Sequence, residues 1–167
     1  MKVNKSQSFV NLMAKHKGII YKVVNSYCQN KFDRQDLAQE ILTTMWLAFD
    51  KYDSDFKFST WMYRIALNVA ISYYRKDSKR QDKQHLDEAC IIQIAEPPKD
   101  DRNEKIGMLH QFISQLDKLN KGIILLYLEG ETYDCIAQSL GITKTNVATR
   151  ISRIKDRLKK QFRTEEF

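Results

Sequence analysis

Apolar side chains recur at three- and four-residue intervals along two stretches of this chain, and nowhere do they alternate as a half-buried strand requires. From Phe9 the series Leu12, Met13, His16, Ile20, Val23, Val24 and Tyr27 lies on one helix face. A second helix is expected to open at Asp33, with Leu37, Ile41, Met45 and Phe49 on its inner stripe. Tyr52–Lys57 (Tyr-Asp-Ser-Asp-Phe-Lys) reads as a polar loop. Ser59 or Thr60 is placed to cap a third helix that buries Met62, Ile65, Ala66, Val69 and Tyr73. The period then lapses from Asp77 to Lys105, where charged and amide residues dominate and Pro97-Pro98 blocks regular helix. It resumes with Ile106, Leu109, Ile113 and Leu116, and again with Ile123, Ile124, Tyr127 and Leu128. With only 5 glycines and 2 prolines in 167 residues, the expected fold is all-α. Two small helical domains, residues 1–76 and 106–167, are joined by a polar linker at 77–105.

Charge is distributed in the same three parts. Residues 1–76 carry 12 basic and 6 acidic side chains, residues 77–105 carry 6 and 8, and residues 106–167 carry 10 and 7. The net charge of +7 favours a polyanionic partner, although a basic protein without one is the plainer alternative. Cys28, Cys90 and Cys135 are odd in number and lack metal-ligand spacing, so neither a disulfide framework nor a metal site is expected. His16, His85 and His110 are equally scattered. The residues after Met1 form no apolar signal core, and no run approaches a membrane span, so a cytoplasmic protein is expected.

The C-terminal domain holds a helix-turn-helix pattern. Thr132 can cap a short helix carrying Ile136, Ala137 and Leu140; Gly141 suits a tight turn, and Ile142 can plug the corner. Thr143 can cap the next helix, whose buried stripe is Val147, Ile151, Ile154 and Leu158. Such a pair lays its second helix in the major groove, N-terminal residues toward the base edges. Lys144, Thr145, Asn146, Ala148, Thr149 and Arg150 lie off the buried stripe there, with Arg153 one turn on. Arg pairs with guanine and Asn with adenine, while Ala and Thr methyls touch thymine. Lys144 to Arg163 holds eight basic residues against Asp156 alone, which suits phosphate contact. A plain helical hairpin with a solvated basic face is the alternative.

Two further faces stand out in the N-terminal domain. Asp36, Gln39 and Glu40 share one surface of the second helix, an acidic patch in a basic protein. Helix-dipole compensation accounts for Asp36, beside Asp33, better than for Glu40; docking of a partner accounts for both. On the third helix Trp61, Arg64, Asn68, Ser72 and Arg75 form a stripe apart from the apolar one, closed by Tyr73, Tyr74 and Lys76. Phe56 and Phe58 stand just upstream. Rings interleaved with cations suit unstacked bases, although Trp61 and Tyr73 also fit a core role. Paired catalytic carboxylates, a phosphate-cradling glycine loop and a metal cluster are all missing from the sequence, so an enzyme is not expected.

Together these stretches resemble the sigma-70 superfamily of bacterial RNA polymerase subunits, and within it the two-domain extracytoplasmic-function group. Asp36-Leu37-Ala38-Gln39-Glu40 looks like the Asp-Leu-x-Gln-Glu signature of region 2. Phe58-Ser59-Thr60-Trp61-Met62-Tyr63-Arg64-Ile65-Ala66-Leu67-Asn68 looks like that region's Phe-x-Thr-Trp-Leu-x-Arg-Ile-Ala-x-Asn stretch. Tyr127-Leu128-Glu129-Gly130-Glu131-Thr132-Tyr133 through Arg153 resembles region 4, with Cys135 where Glu is usual and Ala148 where a basic residue is common. The resemblance implies a non-catalytic factor that brings core RNA polymerase to promoters and helps open them. It implies that Asp36, Gln39 and Glu40 dock on the β′ clamp helices, with the β flap as a further contact. Residues 52–57 would hold a flipped base of the −10 element, near Arg64 and Asn68, and Lys144 to Arg153 would read the −35 element. The −10 surface is then Tyr52, Phe56, Phe58, Trp61, Arg64, Asn68, Tyr74, Arg75 and Lys76. The −35 surface is Lys144, Thr145, Asn146, Thr149, Arg150 and Arg153. An anti-sigma factor is a further implied partner, with no cofactor and no small-molecule substrate.

At roughly 3.3 Å per extended residue the linker spans about 95 Å, and two turns of duplex need about 70 Å, so its reach suffices. The rival reading is a helix-turn-helix regulator that binds duplex DNA without polymerase. It accounts for residues 106–162 but leaves Asp36, Gln39 and Glu40 without a role.

Overall fold

A computed structural model describes residues 4–77 and 104–165, with side chains described from Asn4 to Tyr73 and from Lys105 to Arg163. The chain divides into two compact units, Met1–Lys99 and Asp100–Phe167, and all regular structure among the described residues is helical. Most of the expected linker lies outside the described residues; Asp77 at one end and Glu104 and Lys105 at the other are helical.

The first unit is three helices, α1 (Lys5–Tyr27), α2 (Lys31–Ala48) and α3 (Phe58–Asp77), each packed against the other two. A 3-10 turn, Phe49–Lys51, follows α2. Its centre is Val23, Leu37, Ile41, Met45, Met62, Tyr63, Ala66, Leu67 and Ala70, all buried. The cap of α2 differs from expectation. Asn30 takes that place: its side chain accepts from the Asp33 backbone N–H at 2.8 Å, while its amide donates to the Asp33 carboxylate. Asp33 thereby becomes the third residue of the helix and closes a reciprocal cap. Arg34 fixes the turn before it, donating from Nε to the Cys28 carbonyl and from Nη2 to the Gln29 carbonyl, both at 3.0 Å.

The start of α3 also differs. The helix begins at Phe58, with the Trp61 N–H bonded to the Lys57 carbonyl at 3.2 Å, so Ser59 and Thr60 fall inside its first turn. Phe58 is buried, and burying a ring is worth more than a hydroxyl cap. The inner arc of α3 is rotated from the expected stripe. Tyr63, Leu67 and Ala70 are buried, whereas Ile65, Val69 and Tyr73 are half-buried. A helix that covers both α1 and α2 must bury a wider arc than one with a single neighbour.

The second unit contains α4 (Glu104–Ser114), α5 (Lys118–Leu128), α6 (Tyr133–Leu140) and α7 (Lys144–Glu165). Phe112, Ile113, Leu116, Ile124 and Ile154 form a core cluster, joined by Leu109, Tyr127 and Leu158. Ile106 was expected in this stripe but is 53% exposed, because the cluster it would join reaches only as far as Leu109. The α6–α7 turn forms as expected. Gly141 has φ +68°, and the Ile142 N–H closes back on the Ala137 carbonyl at 3.1 Å.

Candidate nucleic-acid interface

Local chemistry sets which face of α7 is turned outward in the second unit. Thr132 caps α6 through the Cys135 N–H at 3.2 Å, and Thr143 caps α7 through the Asn146 N–H at 3.1 Å. Val147, Ile151 and Ile154 are buried beneath α7, which turns Lys144, Thr145, Asn146, Thr149 and Arg153 outward. Thr143, Thr145, Asn146, Thr149, Arg150 and Arg153 line one open polar depression at the start of this helix. The cap leaves the positive end of the helix dipole beside two guanidinium groups, a setting that attracts anions.

Not every cation there is uncommitted. Lys144 pairs with the Asp134 carboxylate at 2.9 Å, both side chains being exposed. Arg150, half-buried, donates from Nε to Asn146 Oδ1 at 2.6 Å and from Nη1 to Asn120 Oδ1 at 3.1 Å. Further along, Lys155 sits 4.5 Å above the Tyr127 ring and Arg157 lies 5.9 Å from that of Phe112. A side-chain hydrogen bond with Tyr127 holds the Lys155 pKa above its ordinary value. Asp134 and Asn120 were missed by sequence reasoning. Asn120 lies 30 residues from Arg150, and nothing in the linear pattern links them.

In the first unit the rings of Phe49, Tyr52, Phe58 and Trp61 form a single connected cluster. Phe58 stacks on Trp61 with centroids 5.2 Å apart and meets Tyr52 edge-on at 5.2 Å. Tyr52 lies 5.3 Å from Trp61, and Phe49 lies 6.3 Å from it. Phe9 extends the cluster to Trp46 and Phe49, each at 5.2 Å. The Tyr52 hydroxyl donates to the Phe56 carbonyl at 2.7 Å, and Asp53 Oδ1 accepts from the Asp55 N–H at 2.9 Å. The loop is thus stapled at its base while Phe56 stands 68% exposed. Of the aromatic residues proposed from sequence, Phe58 supports the loop from within, Tyr52 and Trp61 are half-buried, and Phe56 faces solvent. Arg64, Asn68 and Ser72 form the expected exposed stripe on α3. Tyr74, Arg75 and Lys76 occupy the last turn of α3, and their side chains lie outside the described residues.

On α2, Asp36 and Gln39 are exposed and Glu40 is half-buried. Asp33 is spent on the helix start, so the dipole alternative covers Asp33 and leaves Asp36, a turn further on, to be explained. The same face carries two residues that sequence reasoning passed over. Phe32 is 63% exposed and Leu47 is 71% exposed, and with Asp36, Gln39 and Thr43 they recur at helical spacing. The signal was present, since α2 has apolar residues on both sides.

Residues 12–80 match the sigma-70 region 2 family and residues 106–158 match sigma-70 region 4. The chain is 30% identical to the ECF RNA polymerase sigma factor SigW of Bacillus subtilis, over 98% of this chain and 93% of that protein. It is 26% identical to the ECF RNA polymerase sigma-E factor of Escherichia coli K12, over 90% and 84%. In fold it is similar to the sigma factor RpoE of Bartonella quintana, solved with the anti-sigma factor NepR. The TM-score is 0.65 at 18% identity, covering 95% of this chain and 96% of that one. With both region matches in order and SigW aligned along nearly its whole length, the chain belongs to the ECF group of sigma-70 family RNA polymerase sigma factors.

Proposed function

We propose that this protein carries core RNA polymerase to promoters by dividing three tasks among three surfaces. Asp36, Gln39 and Glu40, flanked by Phe32 and Leu47, dock on the polymerase β′ clamp helices, and the β flap holds the second unit. Phe56 and the stapled loop, with Arg64, Asn68 and the end of α3 (Tyr74, Arg75, Lys76), capture unstacked bases of the −10 element. Tyr52, Phe58 and Trp61 hold that loop in shape. The start of α7 (Lys144, Thr145, Asn146, Thr149, Arg150, Arg153) reads the −35 element as duplex. Residues 77–105 act as the linker between the two surfaces.

Opening needs no nucleotide hydrolysis on this account. Stacking on an aromatic ring contributes roughly 1–3 kcal/mol per base, comparable to the few kcal/mol that extruding one costs. The observation that carries the proposal is the pairing, in one chain, of a cationic depression on a capped helix with an acidic and apolar face on another unit. A regulator acting without polymerase leaves that second face idle. RpoE of Bartonella quintana was solved with an anti-sigma factor, and by this likeness an anti-sigma partner is proposed here too. Run-off transcription with bacterial core polymerase on a random promoter library tests the proposal. Promoter-selective transcripts that depend on the added protein are expected, and their absence refutes it.

A further inference from the structure

The polar atoms beneath α7 form a chain in one direction. Asp117 caps α5, accepting the Asn120 N–H on Oδ1 at 2.9 Å and the Asn120 side-chain amide on Oδ2. Asn120 Oδ1 in turn accepts from Arg150 Nη1 at 3.1 Å, and Arg150 Nε donates to Asn146 Oδ1 at 2.6 Å. The amide orientations are fixed by chemistry. A guanidinium only donates, so the atoms it meets on Asn120 and Asn146 are oxygens. An ionised carboxylate only accepts, so Asp117 holds the Asn120 nitrogen. Asn146 itself is exposed at the third position of α7, where a helix in the major groove meets base edges.

A free asparagine pairs with adenine by accepting from N6 while donating to N7. Here one lone pair of that oxygen already faces a charged donor, which weakens it as an acceptor for a second, while both amide hydrogens remain. We infer that Arg150 acts as a positioning residue that biases Asn146 toward donating, so that it selects a guanine, and hence a G·C pair, in the promoter duplex. Guanine presents two acceptors, N7 and O6, to those hydrogens. Adenine sets an N6 donor against them, and thymine offers a single acceptor. The inference rests on α7 being the duplex reader proposed above.

The test uses holoenzyme assembled from the full chain and core polymerase, challenged with duplex DNA randomised over the upstream half of the promoter and sequenced after retention. Asn146→Ala, at an exposed site, should flatten preference at one base pair. In the unsubstituted protein that pair should be G·C, favoured at least about fivefold. Arg150→Met, checked for folding by its melting curve, should convert the same position to A·T as the released oxygen accepts from adenine N6. Asn120→Ala, which removes only the far tether, should weaken the G·C preference there. The inference is overturned if the Asn146-dependent pair is A·T, if Asn146→Ala flattens nothing, or if folded Arg150→Met keeps G·C. An unsubstituted holoenzyme without any upstream preference overturns the promoter-reading function itself, and the inference with it.

Discussion

Phe58→Leu separates ring packing from apolar burial at the base of the loop. The leucine stays apolar and buried but loses ring contacts to Tyr52 and Trp61 at 5.2 Å, to His16 at 5.5 Å and to Phe49 at 6.4 Å. An aromatic pair adds about 0.5–1.5 kcal/mol beyond its buried area. The two shortest contacts alone therefore give a loss of about 2 kcal/mol. For a unit of this size that lowers Tm by roughly 8–16 °C. The protein has 2 tryptophans, Trp46 and Trp61, and both belong to this aromatic cluster. Tryptophan fluorescence therefore follows the first unit alone, whereas far-ultraviolet circular dichroism follows both. The fluorescence midpoint should fall while the dichroism component of the second unit stays in place, because Phe112, Ile113, Leu116, Ile124 and Ile154 form a core of their own. A fluorescence shift below about 4 °C, the effect of roughly 1 kcal/mol, would refute the claim that ring packing holds the loop. Equal movement of both components would refute the separation of the cores.

Glu40→Lys should abolish co-purification with core polymerase while the first unit still shows a cooperative fluorescence melting transition; retained co-purification would count against the docking face. Gly141→Ala should destabilise the second unit by about 1–2 kcal/mol, read by dichroism, since a left-handed backbone costs an L residue that much. A Cβ there meets nothing within 4 Å, so the whole cost is backbone. Arg153→Ala should reduce the slope of log affinity against log salt by about 1, as expected for one lost phosphate contact. An unchanged slope would remove Arg153 from the interface.

The helices of both units were legible because their apolar spacing is regular and their burial follows it, as at Val23, Leu37, Ile41, Val147 and Ile151. Helix starts were less so. Asn30 outcompeted Asp33 through a two-way bond with it, and Phe58 started α3 by burial rather than by a hydroxyl cap. Both outcomes depend on neighbours that a one-residue capping preference does not contain. The site residues were legible as types of chemistry but not as partnerships. Spacing located Arg150 and Asn146 on the outer part of α7, yet their shared tether runs through Asn120 on another helix. Phe56 and Phe58 are alike in sequence, and only packing divides them into an exposed ring and a buried support. The apolar margin of α2 was visible at Phe32 and Leu47 but was overshadowed by the carboxylates between them.

Because the two cores share no residues, the order in which they leave the ribosome matters. Helices α1 to α3 are complete at Asp77, and α7 ends 88 residues later, at Glu165. At about 5–20 residues per second that interval lasts roughly 4–18 s, while bundles rich in local contacts close within microseconds to milliseconds. For several seconds each nascent chain therefore displays the α2 surface without the half that contains α7. A chaperone, protease or binding protein that acts on the growing polypeptide meets that surface first.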